Sequence, residues 1–255
     1  LDELKNRISD YVSYIKFLKL RKEQGFEEEQ KISLHSVFTG NPGTGKTSVA
    51  KMLGQIYHKM GLLSKGKVTE VGRAELIGKF IGQTAPLTKE VIEKARGGIL
   101  LIDEAYALMR EGESGSDFGK EVIEVVLKEM SDGKGDIAII VAGYPKEMAH
   151  FMDSNPGLKS RFGMWFEFPD YVPQELIKIA ELWASKKFVN FNEPAKELLT
   201  EKVTNLYRAR DRTFGNARLV TSLVEEAKMN MGLRIIKDTA VHNDAEALKT
   251  ILHQD

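Results

Sequence analysis

The octapeptide Gly40-Asn41-Pro42-Gly43-Thr44-Gly45-Lys46-Thr47 fits the pattern G-x-x-x-x-G-K-[ST]. A phosphate group needs many hydrogen-bond donors within a small radius. Glycines let successive backbone N–H groups turn inward around it, and a following helix offers its positive end. The spacing predicts that Lys46 reaches the β and γ phosphates and that the Thr47 hydroxyl ligates Mg²⁺. Asn41, Pro42, Gly43, Thr44, Gly45 and Ser48 complete the expected phosphate-binding stretch. The flanks agree with this reading. Ile32, Leu34, Ser36 and Phe38 start a strand-like run ending at Gly40, and Val49, Ala50, Leu53, Ile56 and Tyr57 follow at helical spacing until Gly61.

A second signal lies downstream. Ile99-Leu100-Leu101-Ile102 is a continuous apolar run followed at once by Asp103-Glu104. A strand covered on both faces reads this way, and it would deliver the two carboxylates to the carboxyl edge of a sheet, beside the phosphate loop. There Asp103 is expected to hold the Mg²⁺ shell and Glu104 to polarise the attacking water. An acidic strand end alone is ordinary; paired with the phosphate loop it points to NTP hydrolysis.

Strand-like runs at 66–71, 99–102, 137–141 and 164–168 alternate with helical patterns, one of them opened by Pro86 and running to about Arg96, another spanning Phe118 to Met130. Apolar residues at Leu1, Leu4, Ile8, Tyr11, Val12, Ile15 and Leu18 mark one face of a leading helix. The alternation predicts an α/β fold, a parallel sheet wrapped by helices. After Phe168-Pro169-Asp170 the patterns turn helical: 173–187, about 194–209 and 215–231, with a possible edge strand near 234–240 and a last short helix capped by Asn243. This places a nucleotide-binding domain at 1–170 and a helical domain at 171–255. The polar loop 110–117 is expected to be mobile.

Composition narrows the function further. With 37 basic and 37 acidic side chains, split 24 to 25 before residue 171 and 13 to 12 after it, neither part attracts nucleic acid or anionic lipid strongly. No run approaches the roughly 18 apolar residues of a membrane span. The absence of cysteine excludes disulfides, cysteine-bound zinc and thiol catalysis, and it suits a reducing, cytoplasmic setting. The five histidines have no zinc spacing. Asp117-Phe118-Gly119 spells a kinase triplet without the catalytic-loop partner, so Asp117 reads as a helix cap. The Trp165 and Trp183 pair reads as packing. The amphipathic start at Leu1, without a signal peptide or an initiator Met, suggests an excised domain or a processed chain.

Several stretches then resemble one family. G-N-P-G-T-G-K-T (40–47), E-L-I-G-K-F-I-G-Q-T-A (75–85), I-L-L-I-D-E-A-Y-A-L (99–108), D-F-G-K-E-V-I (117–123), I-I-V-A-G-Y (139–144), S-N-P-G-L-K-S-R-F (154–162), F-P-D-Y (168–171) and F-G-N-A-R-L-V (214–220) are similar to AAA+ ATPases of the CbbX/CfxQ branch. That branch includes red-type Rubisco activases, stage V sporulation protein K and the EccA component of type VII secretion. The resemblance implies a P-loop NTPase of the ASCE/AAA+ type with a C-terminal α-helical lid, ATP and Mg²⁺ as cofactors, and a ring, a homohexamer, with ATP at subunit interfaces. It puts Arg161 at the arginine-finger position, acting on the neighbour's γ-phosphate, and Arg218 at the sensor-2 position on the lid. It puts Phe80, within Lys79-Phe80-Ile81-Gly82, on a pore loop that grips a protein substrate; the branch commonly has tyrosine there. Where many AAA+ proteins carry a polar sensor-1 residue, this chain reads Val141-Ala142-Gly143-Tyr144, with Tyr144 nearest that role. The segment that helps enclose adenine would lie before Leu1.

The leading expectation is therefore an ATPase that remodels a protein partner. The rival readings are a nucleotide-gated scaffold without threading, a small-molecule kinase or GTPase, and a nucleic-acid motor. The intact Glu104 argues against the first, the lack of an N-K-x-D guanine-reading sequence and the helical second domain against the second, and the neutral charge against the third.

Overall fold

A computed structural model describes residues 2–26, 33–110, 118–238, 240, 242 and 244–255. The described chain divides into two units. One holds residues up to Gly40 together with Gly45–Phe168; the other holds Asn41–Thr44 with Pro169–Asp255.

The first unit is built on five parallel strands, β1 (Ser36–Gly40), β2 (Val68–Val71), β3 (Ile99–Ile102), β4 (Ala138–Gly143) and β5 (Met164–Phe168), in the order β2-β3-β4-β1-β5. Around the sheet run α1 (Asp2–Glu23), α2 (Lys46–Lys59), α3 (Arg73–Leu76), α4 (Thr84–Ala95), a 3₁₀ turn at Ala105–Met109, α5 (Phe118–Asp132), α6 (Pro145–Asp153) and α7 (Pro156–Arg161). Successive strand side chains point to opposite faces, which explains the unbroken apolar runs. Phe38, Ile99, Leu101, Ala138 and Ile140 join Leu53 and Tyr57 of α2 and Leu4, Ile8, Tyr11, Val12 and Ile15 of α1 in one core; Leu1 lies outside the described residues and Leu18 outside this core. Val37, Leu100, Ile102, Ile139 and Val141 meet Leu76, Ile92, Val122 and Phe151 in another. α4 starts at Thr84, earlier than Pro86 suggested; a proline within the first turn has no intrahelical hydrogen bond to lose. The alternation calls for one helix between β4 and β5, where two short ones, α6 and α7, are found; α3, with a single turn, shows no period and was not anticipated.

The chain descends from β1 to the far edge at β2 and then fills inward through β3 and β4 before β5 adds on the other side of β1. Strand order reverses beside β1, and ligands of open α/β sheets gather outside the strand ends at such a point. The phosphate loop leaves β1 there.

His35 is held just before β1. Its Nδ1 accepts the N–H of Ile139 at 3.0 Å, and the Phe162 ring lies edge-on at 6.3 Å. Burial lowers its pKa from 6.5 to about 4. A ring that accepts from a backbone N–H must be neutral there, so the folded state takes up its proton later than the unfolded chain. Stability from this group is complete above about pH 6.5 and drains away as pH falls toward 4, by up to ~3 kcal/mol. We expect His35→Asn, which keeps an acceptor of similar reach and does not titrate, to flatten that part of the melting-temperature profile. Parallel profiles for the two proteins would contradict the assignment.

The second unit packs α8 (Pro173–Lys186), α9 (Glu193–Arg208) and α10 (Ala217–Lys237) around Leu176, Ala180, Val203, Val220, Val224 and Ile251. Pro173 and Pro194 lie in first helical turns, and the Asn192 carboxamide accepts the Ala195 N–H at 2.9 Å as a cap. Two strands of two residues, β6 (Asn190–Phe191) and β7 (Thr250–Ile251), pair in parallel. Among the described residues, the edge strand suggested near 234–240 is not formed. α10 continues to Lys237 because Met231 and Ile235, one helical turn apart, both bury in the core. The suggested cap at Asn243, the Asp117 cap and residues 111–117 of the polar loop lie outside the described residues. No helix among the described residues is long and apolar enough to cross a membrane.

Candidate active site

The phosphate loop follows β1 as the sequence suggested, and its glycines carry the strain. Gly40 has φ +155°, and a Cβ there would lie 2.4 Å from the carbonyl oxygen of Phe168. Gly45, at φ 96°, is the left-handed residue immediately before α2, a conformation that disfavours any side chain. Lys46 opens α2 and donates from Nζ to the Gly40 carbonyl at 2.8 Å, folding back across its own loop. Thr47 donates from its hydroxyl to Glu70 Oε1 at 3.2 Å, and Ser48 is exposed on the same first turn.

β3 delivers the acidic pair to the same corner of the sheet. Asp103 donates its N–H to the Val71 carbonyl at 2.9 Å, so Asp103 stands against the end of β2, next to the residue that Thr47 touches. Its Oδ1 accepts the Glu104 N–H at 3.0 Å. Glu104 is exposed and left-handed (φ 49°, ψ 43°), a backbone state that costs a non-glycine residue energy and turns it out of the strand line before the 3₁₀ turn. Arg73 of α3 pins that turn by donating to the Ala107 carbonyl at 2.7 Å. Thus Lys46, Thr47, Asp103 and Glu104 meet at the carboxyl edge of one sheet.

The end of β4 is shaped around an aromatic ring. A Cβ on Gly143 would lie 2.8 Å from the Tyr106 ring, which sits 6.1 Å from the Tyr144 ring. Burial, and next the charge of Glu104, push the Tyr106 hydroxyl up to about 12. Tyr106 was not singled out in the sequence; its signals were its place in the stretch 99–108 and the glycine at the end of β4.

Phe80 and Ile81 stand at the tip of a turn, 69% and 84% exposed. The Gln83 N–H donates to the Phe80 carbonyl at 3.2 Å, and the buried Thr84 hydroxyl accepts the Gly78 N–H at 3.2 Å, so the base of the turn is fixed while its apolar tip is not covered. Phe80 therefore does not bury itself beside the sheet.

Arg161 ends α7. Its Nε donates to the Ser131 hydroxyl at 2.6 Å and one terminal nitrogen to the Gly157 carbonyl at 3.3 Å. These are neutral oxygens, which orient the guanidinium without cancelling its charge.

In the second unit, Asn41–Thr44 pack with the residues after Phe168. A Cβ on Gly43 (φ +71°) would fall 2.1 Å from the Gly215 carbonyl, so only glycine allows that approach. Thr44 is buried, and its hydroxyl donates to the Asn41 carbonyl at 2.8 Å. Arg218 lies exposed in the first turn of α10. The residues that sequence reasoning passed over are Asp170, Tyr171 and Asn216. Asp170 Oδ1 accepts from the carboxamides of Asn41 at 2.9 Å and Asn216 at 2.8 Å. Their signal was present only as two short motifs, 168–171 and 214–220.

The family model described as "ATPase family associated with various cellular activities (AAA)" matches residues 36–170. The chain belongs to the AAA ATPases of the CbxX/CfxQ branch. This AAA ATPase also matches the AAA lid domain over residues 172–255. It is 40% identical to the chromosomal protein CbxX of Cupriavidus necator, across the whole of this chain and 79% of that protein. It is 38% identical to stage V sporulation protein K of Bacillus subtilis, covering all of this chain and 78% of that one, and 36% identical to CbbX of Cereibacter sphaeroides, covering all of this chain and 81% of that one. Among solved structures, the FIGL-1 AAA domain in complex with ADP matches with TM-score 0.60 at 18% identity, over 92% of this chain and 74% of that one. The RuvB Holliday junction branch migration motor of Thermotoga maritima matches with TM-score 0.59 at 20% identity, over 93% and 64%. These two likenesses concern the fold. The protein is a nucleotide-binding, ATP-hydrolysing enzyme with a P-loop, an α/β sheet domain of the AAA+ kind and a helical lid.

Proposed function

We propose that this AAA ATPase assembles as a homohexameric ring and uses ATP hydrolysis to remodel a protein partner that its pore loops engage. The observation that carries the reading is the exposure of Phe80 and Ile81 on a turn whose base is hydrogen-bonded. Ordinary packing gives no reason to present two large apolar side chains this way, whereas gripping a polypeptide does.

Within a subunit, Asn41–Ser48 wrap the phosphates. Lys46 leaves the Gly40 carbonyl for the β and γ oxygens, and Arg218 contacts the nucleotide of its own subunit. Thr47 and Asp103 offer a hydroxyl and a carboxylate oxygen, a donor set that suits Mg²⁺, a hard cation commonly bound through one or two protein oxygens plus phosphates. When bound, the ion neutralises charge on the phosphate oxygens. Glu104 accepts a hydrogen bond from the attacking water and aligns it on the γ-phosphorus. Arg161 reaches the neighbouring subunit's γ-phosphate and stabilises the charge that develops there. The domains divide at about residue 170, and the lid carries the sensor.

Phe80→Ala tests the threading step. It should leave ATP turnover within about threefold of the parent, because the side chain touches no reacting group, and it should abolish remodelling of a trapped polypeptide, since a large aromatic anchor typically dominates such a grip. Full remodelling by that variant would favour the rival reading, a nucleotide-gated scaffold.

A further inference from the structure

The peptide carbonyls of the phosphate loop are engaged one after another. Gly40 accepts from Lys46 Nζ at 2.8 Å, Asn41 from the Thr44 hydroxyl at 2.8 Å, and Gly45 from the Val49 N–H at 2.9 Å. The three between them accept from later residues of their own unit: Pro42 from Asn216 Nδ2 at 3.2 Å, Gly43 from the Ala217 N–H at 3.2 Å, and Thr44 from the Tyr171 hydroxyl at 3.2 Å. A peptide group points its C=O and N–H in opposite directions. Donors outside the loop hold the Pro42, Gly43 and Thr44 carbonyls on their own side and therefore turn the N–H groups of Gly43, Thr44 and Gly45 the opposite way, as an anion nest requires.

Asn216 is the centre of this arrangement. It is fully buried, at 0% exposure, and adopts φ 48°, ψ −122°, a conformation most side chains avoid. The two hydrogens of its Nδ2 are shared among the Pro42 carbonyl at 3.2 Å, Asp170 Oδ1 at 2.8 Å and the Phe214 carbonyl at 3.1 Å, and its Oδ1 accepts the Tyr171 N–H at 2.9 Å. The same Asp170 oxygen takes the Asn41 carboxamide, and Arg210 Nε lies 3.4 Å from the other oxygen. Only an amide can donate and accept in this way. Aspartate at 216 would set a second carboxylate against Asp170.

We propose that Asn216, held by Asp170 and Tyr171, is a positioning residue that sets the phosphate loop in its anion-binding conformation from the carbonyl side. The proposal rests on the reading of residues 40–47 as the phosphate site. Arg218 follows Asn216 by two residues, so occupancy of the loop and the start of α10 are mechanically joined within one unit.

The variant that isolates the carboxamide is Asn216→Gly, because glycine accepts the backbone conformation and removes only the side chain. Measured by calorimetry with ADP and Mg²⁺, well below the melting temperature, it should bind about tenfold more weakly, the loss expected for a shared buried hydrogen-bond network. KM for ATP should rise by a similar factor while kcat changes less than about threefold, since no reacting group is touched. Asp170→Ala should give the same loss, and the double variant should be scarcely worse than either single one, because both remove one network. A purely structural role would lower the melting temperature and leave nucleotide affinity unchanged; that result in a folded Asn216→Gly protein overturns the proposal. Should that variant not fold, Tyr171→Phe carries the test by removing one oxygen: about threefold weaker ADP binding supports the proposal, unchanged binding overturns it. Lys46→Ala assigns any failure. If it weakens ADP binding while the Asn216 and Tyr171 variants do not, the clamp alone is wrong; if none of them does, the phosphate site itself is wrong and the clamp falls with it.

Discussion

Replacing Glu104 with glutamine is expected to lower steady-state ATP turnover by roughly 10²- to 10⁴-fold, the usual contribution of a positioned general base. Glutamine has the same shape and keeps a carbonyl oxygen, but it cannot carry the charge that draws a proton from water. Nucleotide binding should survive. Glu104 is exposed, and its hydrogen bonds among the described residues are backbone ones, its N–H to Asp103 Oδ1 and its carbonyl from the Ala107 N–H, which glutamine retains. The left-handed backbone disfavours glutamine no more than glutamate, so the fold is not at risk. Phosphate-release and calorimetric measurements on the same preparation separate the two effects. Turnover near that of the parent protein would remove Glu104 from the role of base.

Arg161→Ala should be as severe, about 10³-fold or more in kcat, the scale of an arginine supplied to a phosphoryl-transfer transition state. What distinguishes this arginine is where it acts. Its own α7 and Ser131 orient it, and it pairs with no carboxylate among the described residues. If it serves the neighbouring subunit, an Arg161→Ala subunit retains a whole site that lacks only the neighbour's guanidinium. A Glu104→Gln subunit supplies that guanidinium while being inactive itself. Mixing the two dead variants should therefore restore part of the turnover. A mixture as inactive as its components would place Arg161 outside the neighbour's site.

What the sequence disclosed and withheld follows from how local each feature is. The phosphate loop and the Asp103-Glu104 pair are contiguous, and their chemistry is written in adjacent residues. The inner strands β3 and β4 were readable because both faces of the sheet are covered there, which leaves apolar runs such as Ile99–Ile102 without polar interruption, whereas the edge strands β2 and β5 carry exposed Glu70 and Glu167. The second unit misled where tertiary packing overrode local preference. Ile235 and Ile236 suggest a strand, yet Ile235 completes a buried helical row with Met231 and Val224. β6 and β7 are two residues each, too short for any period to register. Family resemblance pointed to Arg161, Arg218 and Phe80, and the structure then supplied what no spacing contains: neutral oxygens orienting Arg161, the open tip at Phe80, and the engaged carbonyls of the loop. Asn216 lay inside the motif 214–220 with no role to read, because its importance lies in a partner 174 residues away, the Pro42 carbonyl, and in a backbone conformation that sequence does not declare.

A calorimetric titration of ATP with Mg²⁺ into the Glu104→Gln protein, where hydrolysis cannot obscure binding, probes the phosphate site at its root. Saturable uptake that disappears when Lys46 is also changed to alanine is the predicted result. A folded Glu104→Gln protein that takes up no ATP, or one whose uptake is indifferent to Lys46, would contradict the site as a whole.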